Sequence, residues 1–200
     1  MSEVKISAAD IQKLREMTGA GMMDCKKALQ EAEGDYENAV DVLRKKGIAK
    51  AAKREDRETK EGVVIAQTNA DQTRGIIVAL MCETDFVARN EAFIELCQDI
   101  ALHIAASAPQ HVSRESIPAE MVEKEQAFHR EQMAAEGKPA DMIEKVLEGK
   151  MQKYFADVCL LDQPFVKDDS ITVGQLLEQK ILSIGESIKV GRFVRMVLGA

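Results

Sequence analysis

The sequence predicts an α+β protein: a helical N-terminal segment, a basic connector, and a core of helices packed on an antiparallel sheet of at least three strands. Three observations carry this expectation. Apolar residues before position 47 recur at three- and four-residue steps, the spacing of one helix face. From 62 to 82 the pattern changes to two β-rich runs, 62–68 and 74–82, separated by the turn-forming Asn-Ala-Asp-Gln at 69–72. Near the C-terminus Ile188, Val190, Val194, Met196 and Leu198 alternate as a last strand, with Arg192 interrupting that face.

Taken in order, Ser7 to Asp10 reads as a capping-box start, and Ile11, Leu14 and Met17 form the stripe of a first helix. Thr-Gly-Ala-Gly at 18–21 breaks it. Met22, Cys25, Ala28, Leu29 and Ala32 continue at helical spacing as far as Gly34. Asp35 is placed to cap a third helix striped by Tyr36, Ala39, Val40 and Leu43 and ending at Gly47. Helices this short do not persist alone, so residues 1–47 must bury their stripes together. Residues 44–60 carry eight Lys or Arg against three acids, and 48–61 is expected to be a partly helical linker.

The core follows over 62–200. Phe93, Ile94, Cys97, Ile100, Ala101 and Ile104 stripe a helix that stops near Pro109. A charged and largely exposed helix is expected from Pro118 to a break at 137–139. The next carries Ile143, Leu147, Met151, Tyr154 and Val158. Thr172 to Gln175 is a capping box ahead of Leu176, Leu177 and Ile181.

Bulk numbers narrow the functional classes. Two hundred residues with 46% hydrophobic and 30% charged side chains suit a soluble globular protein that needs no staples. A net charge of −7, no Trp and 4% aromatics argue against a nucleic-acid binder, which needs a basic footprint and stacking platforms. Cysteines 25, 82, 97 and 159 form no CxxC pair. No leader-like segment or membrane-length apolar run is evident, so a cytoplasmic protein with free thiols is expected. Neither GxxxxGK[ST], GxGxxG after a strand, HExxH nor GxSxG occurs, and the histidines at 103, 111 and 129 lack metal-ligand spacing. No cofactor or metal is expected.

The most telling string is Cys-Glu-Thr-Asp-Phe-Val-Ala-Arg-Asn at 82–90, between a strand and a helix. Thr84 and Asp85 there are ordinary capping chemistry. Phe86 precedes Phe93 by seven residues, which leaves two readings: one continuous helix places both on a buried face, or Phe86 projects with Asp85 toward a partner. Met22 and Met23 are neighbours about 100° apart on a helix, so they cannot both enter a small core. Arg15 follows core-facing Leu14 and should face solvent.

The 82–90 string, together with Leu-Arg-Glu-Met-Thr-Gly-Ala-Gly-Met-Met-Asp-Cys-Lys-Lys-Ala-Leu at 14–29, resembles the elongation factor Ts family, guanine-nucleotide exchange factors of elongation factor Tu. The similarity resumes in Ile-Ala-Leu-His-Ile-Ala-Ala-Ser at 100–107, Lys-Tyr-Phe at 153–155, Gln-Pro-Phe-Val-Lys-Asp at 163–168 and Thr-Val-Gly-Gln-Leu-Leu at 172–177. The resemblance implies a ubiquitin-associated-like bundle that docks on the G domain of elongation factor Tu, with a further partner domain contacted elsewhere. It implies an exchange corner at 83–90, where Phe86 acts as a wedge and Asp85 disturbs the groups around Mg²⁺ and phosphate, flanked by Thr84 and Val87. Arg15, Met22 and Met23 would hold a G-domain helix. His103 matches a family histidine, and contact and core readings stay open. Longer chains of the family look as though the core module occurs twice. A single module here implies a homodimer, and neither direct nucleic-acid nor membrane contact is expected. Competing readings are a docking adaptor built on residues 1–47, and a small enzyme using His103 with Cys82 or Cys97.

Overall fold

A computed structural model describes residues 6–54 and 56–199, and the protein is α+β. The expected capping box forms: Asp10 N–H donates to Ser7 Oγ at 3.2 Å, and Asp10 Oδ2 accepts from Ser7 N–H at 2.9 Å. It opens α1 (Ala8–Thr18), which Gly19 ends in the left-handed region at φ 65°. Helix α2 (Met22–Glu31) is closed by Gly34, whose N–H returns to the Leu29 carbonyl at 2.9 Å. Asp35 accepts from Asn38 N–H at 2.8 Å and caps α3 (Tyr36–Arg54).

Helix α3 does not stop at Gly47. Residues 48–54, expected within the linker, continue it. Lys50 pairs with Asp24 at 2.9 Å, tying the extension to α2, and Lys46 just before it pairs with Glu31 at 2.7 Å. Gly47 is buried against α8 (Val173–Ile184), where a Cβ would make ordinary van der Waals contact with the Glu178 carbonyl at 3.5 Å. Arg54 Nη1 donates to the Ile181 carbonyl on the same helix at 3.5 Å.

The chain divides into two compact units. The first takes in residues up to Val64, Ala79–Leu96 and Gln175–Val190. Its N-terminal core is Leu14, Ala20, Cys25, Ala28, Leu29, Ala39 and Leu43, completed by Leu182 of α8. The short helices therefore solve their burial problem with a fourth helix from near the other end of the chain. Met17, expected on the buried stripe, is exposed: in α1 only Leu14 is buried, and the chain returns to the core at Ala20 beyond Gly19.

Strands β1 (Glu61–Thr68), β2 (Arg74–Cys82) and β5 (Lys189–Val197) form one sheet in the order β1-β2-β5, with β2 central. Asn69 N–H donates to the Arg74 carbonyl at 3.1 Å, and Leu198 N–H to the Thr73 carbonyl at 2.9 Å. Both outer strands thus run antiparallel to β2. Gly62 sits at φ 150°, where a Cβ would collide with the Leu80 carbonyl.

The second unit holds Ile65–Val78, Cys97–Gly174 and the residues from Gly191 onward. Beyond the end of α5 (Glu91–Ser107), α6 (Ala119–Ala135) and α7 (Ala140–Val158) pack through Met133, Leu147 and Met151, with Gly137 at φ 76° between them. As expected, α6 is largely exposed, with Met133 its one buried residue. Strands β3 (Pro164–Phe165) and β4 (Asp168–Thr172) make a small antiparallel ladder. Arg114 donates to Asp162 from Nε at 3.0 Å and to Gln152 at 2.9 Å, over the Phe155 ring at 4.8 Å.

The last strand departs from the expected single buried face. Ile188 and Val190 are buried, but Val194, Met196 and Leu198 point to solvent. Beyond Gly191 it is Phe193, Arg195 and Val197 that are partly covered.

If α8 is the fourth wall of the N-terminal core, Leu182→Ala leaves a cavity there and should destabilise the protein by about 2–5 kcal/mol in urea unfolding. Unchanged stability would remove α8 from that core.

Candidate partner-docking site

Strand β2 ends at Cys82 and turns into the single helical turn α4 (Asp85–Ala88). Thr84 is the N-cap, its Oγ1 accepting from Val87 N–H at 3.4 Å. Asn90 N–H donates to the Val87 carbonyl at 2.9 Å, and Asn90 Oδ1 then accepts from Ala92 N–H at 2.9 Å at the start of α5. This break between α4 and α5 decides the orientation of Phe86. Seven-residue spacing aligns two side chains only along one continuous helix, and here Phe93 is sealed in the core while Phe86 is 83% exposed. Asp85 lies beside it, half-exposed, in an exposed ion pair with Arg89 at 3.3 Å. Val87 is partly covered and Ala88 buried, so the turn presents its first two residues outward.

The corner is held from beneath by a reciprocal clamp. Glu186 Oε2 accepts from the backbone N–H groups of Glu83 and Thr84, each at 3.1 Å, and Oε1 accepts from the Thr84 hydroxyl at 2.7 Å. In return, Glu83 Oε1 accepts from Ser187 N–H at 2.7 Å, and Arg57 Nη1 donates to Glu83 Oε2 at 3.0 Å. Burial works to raise the Glu83 carboxyl, but the Ser187 N–H and the Arg57 guanidinium together hold it below the ordinary carboxylate value. Sequence reasoning missed Glu186, Ser187 and Arg57, which stand about a hundred or about thirty residues away and carry no local motif.

On the N-terminal helices of the same unit, Arg15, Met22 and Met23 are all exposed, joined by Met17. Gln12, Arg15, Glu16, Gly19 and Met22 line a shallow depression of about 440 Å³. Three exposed methionines give an adaptable apolar surface.

His103 lies in the second unit and is fully buried, so of its two readings the structure adopts the core one. Nδ1 accepts from Val166 N–H at 3.2 Å, which leaves Nε2 to donate to Gln163 Oε1 at 2.9 Å. Gln163 in turn donates to the Asp157 carbonyl at 2.8 Å. The ring is therefore a neutral Nε2–H tautomer, and burial outweighs the Gln163 bond to hold its pKa below 6.5. The thiols are buried as well. Burial raises Cys25 and Cys82, and pushes Cys159 up to about 11, which disfavours thiolate nucleophiles. Among the described residues no three His, Cys, Asp or Glu side chains converge as metal ligands, and no helix is long and apolar enough to cross a membrane.

Fold and site together define an α+β protein with a helical unit bearing exposed methionines and a capped corner projecting an acid and an aromatic. Comparison with known proteins makes this specific. The sequence model for "Elongation factor TS" matches residues 95–200. The elongation factor Ts of Fervidobacterium nodosum is 52% identical over 98% of this chain and 100% of its own. That of Koribacter versatilis is 53% identical over 98% and 90%, and that of Oleidesulfovibrio alaskensis 51% over 98% of each. The chain belongs to the elongation factor Ts family of translation elongation factors.

The His103 geometry has a pH signature. Its folded pKa is depressed, so folding is favoured while the ring is neutral. The stability is full above the unfolded value of 6.5 and declines as acid protonates the unfolded chain more readily. Between about pH 7 and 5.5 the denaturation midpoint of the wild type should fall more than that of His103→Gln. Parallel curves would assign the ring no part in it.

Proposed function

We propose that this protein binds elongation factor Tu in its GDP form and promotes GDP release, so that GTP can rebind. The observation that carries the reading is Phe86, a large aromatic left 83% exposed beside Asp85 on a one-turn helix whose cap and backbone are tied down. An exposed apolar ring on a held corner is suited to enter a neighbour. The adjacent carboxylate can leave Arg89 at little loss, since exposed pairs contribute at most about 1 kcal/mol. The N-terminal helices, through Arg15, Met22, Met23 and also Met17, hold a helix of the partner's G domain, and a further partner domain meets other surfaces. Asp85 and Phe86, flanked by Thr84 and Val87, act on the helices around the partner's Mg²⁺ and phosphate groups. The protein does no covalent chemistry in this role, and its setting is the cytoplasm. His103 serves from the interior by holding the Gln163–Val166 segment.

The test is release of fluorescent GDP from purified elongation factor Tu. Phe86→Ala should slow stimulated release by tens of fold, since burying one phenylalanine contributes roughly 1.5–3 kcal/mol, with circular dichroism and stability unchanged. A large loss of stability would make Phe86 a core residue, and unchanged exchange would end the wedge reading.

A homodimer is part of the proposal. In the second unit, Ile77, Val194 and Met196 face solvent on one side of the sheet and line, with Ala66, Thr68 and Gly75, an apolar groove of about 350 Å³. The outer strand β1 is exposed nearly throughout. An apolar sheet face beside an unpaired edge is a surface that proteins ordinarily cover, here by a second copy of the chain. Sedimentation at tens of micromolar should show a dimer, and Met196→Glu should shift it to monomer. A monomeric wild type rejects this interface.

A further inference from the structure

We propose that Glu186 is a positioning residue for exchange, fixing the Asp85-Phe86 corner to the end of helix α8 so that corner and N-terminal helices act as one rigid tool. The inference rests on the exchange-factor reading and names a residue outside the partner-contacting strings. Three observations support it.

First, the Glu186 carboxylate accepts from two backbone donors of the turn, Glu83 and Thr84 N–H, and from the hydroxyl of the very residue that caps α4. Because Thr84 Oγ1 both donates to Glu186 and accepts from Val87 N–H, the orientation of α4 follows the position of Glu186. Second, the clamp is doubled in the opposite direction by Glu83 and Ser187, so that the segments 83–84 and 186–187 cannot slide past each other without breaking both halves. Third, Glu186 stands four residues after Leu182, which is packed among Leu14, Ala20, Cys25 and Leu29. Helix α8 is further braced by Gly47 against Glu178 and by Arg54 on the Ile181 carbonyl. The same short stretch of chain is therefore anchored in the N-terminal core at one end and grips the corner at the other. A force transmitted through Phe86 is resisted at Glu186 rather than dissipated by swinging of the turn.

The experiment uses the full chain with Glu186 changed to Ala, Asp or Gln, titrated against elongation factor Tu loaded with fluorescent GDP, alongside hydrogen–deuterium exchange of the free protein. Glu186→Ala should speed amide exchange at Glu83 and Thr84 and lower the maximal release rate about ten-fold, as expected for losing charge-assisted bonds, with the half-saturating concentration nearly unchanged. Glu186→Gln keeps an acceptor at full reach and should stay within about three-fold of wild type, whereas Glu186→Asp keeps the charge but withdraws the acceptor and should fall between Gln and Ala. Should the alanine variant fail to fold, the Asp and Gln variants decide the matter. Wild-type maximal rates in Asp and Ala, or a loss confined to the half-saturating concentration, would overturn the proposal while leaving the exchange reading intact. A wild-type chain that does not accelerate GDP release would overturn both.

Discussion

A backbone that leaves a strand and turns at once into a helix carries N–H groups that neither element can satisfy. At the end of β2 these belong to Glu83 and Thr84, and the acceptor that meets them arrives from Glu186. Left without a partner, each partly buried amide would cost about 1–3 kcal/mol. That requirement governs much of the first unit. It needs β5 beside β2, so that the residues preceding β5 reach the corner. It needs α8 to end just before them, and the apolar end of that helix then supplies Leu182 to the three N-terminal helices. Polar satisfaction at the corner and apolar burial in the N-terminal core are thus joined through one helix.

The second unit is held on a different plan, in keeping with a chain that has only six phenylalanines and no tryptophan. Where large aromatic packing is scarce, buried or half-buried polar knots fix the segments. His103 and Gln163 bridge α5 to the start of β3, and Arg114 joins Asp162, Gln152 and Phe155. In the buried His103–Gln163 pair both ring nitrogens and both ends of the amide are engaged, which is what makes polar groups tolerable in such a place.

Much of this was legible in the sequence because it is local. The Ser7 cap, the Gly19 and Gly34 stops, the 69–72 turn and the Gly137 break are chemistry within a few residues, and all stand where periodicity and turn residues put them. Errors arose where tertiary context overrode a local sign. Gly47 reads as a helix end, yet it is buried against α8 within a helix that runs on to Arg54. The alternation of β5 reads as one buried face, but alternation fixes only which residues share a side of a strand, and that side emerges into solvent beyond Gly191. At the corner, the identity of Phe86 was visible and its direction was not, since direction hangs on the break at Asn90 and on an acceptor 102 residues from Thr84.

On the exchange reading, magnitudes explain why a held corner matters more than the wedge residue itself. A nucleotide bound at nanomolar affinity is retained by about 12 kcal/mol. One buried phenylalanine supplies roughly 1.5–3 kcal/mol, enough for one to two orders of magnitude in affinity if none is lost. A turn free to swing would lose part of that contribution by yielding, since displacing the partner's helices requires that the wedge be stiffer than what it displaces. The remaining opposition has to come from binding energy realised elsewhere, over the exposed methionines and Arg15, and carried to the corner through a rigid connection. Coupling of this kind is reciprocal: whatever factor the protein takes from nucleotide affinity, nucleotide takes from the affinity for the protein. The complex without nucleotide is then the tight one, and incoming GTP releases the factor by the same balance that drove GDP out.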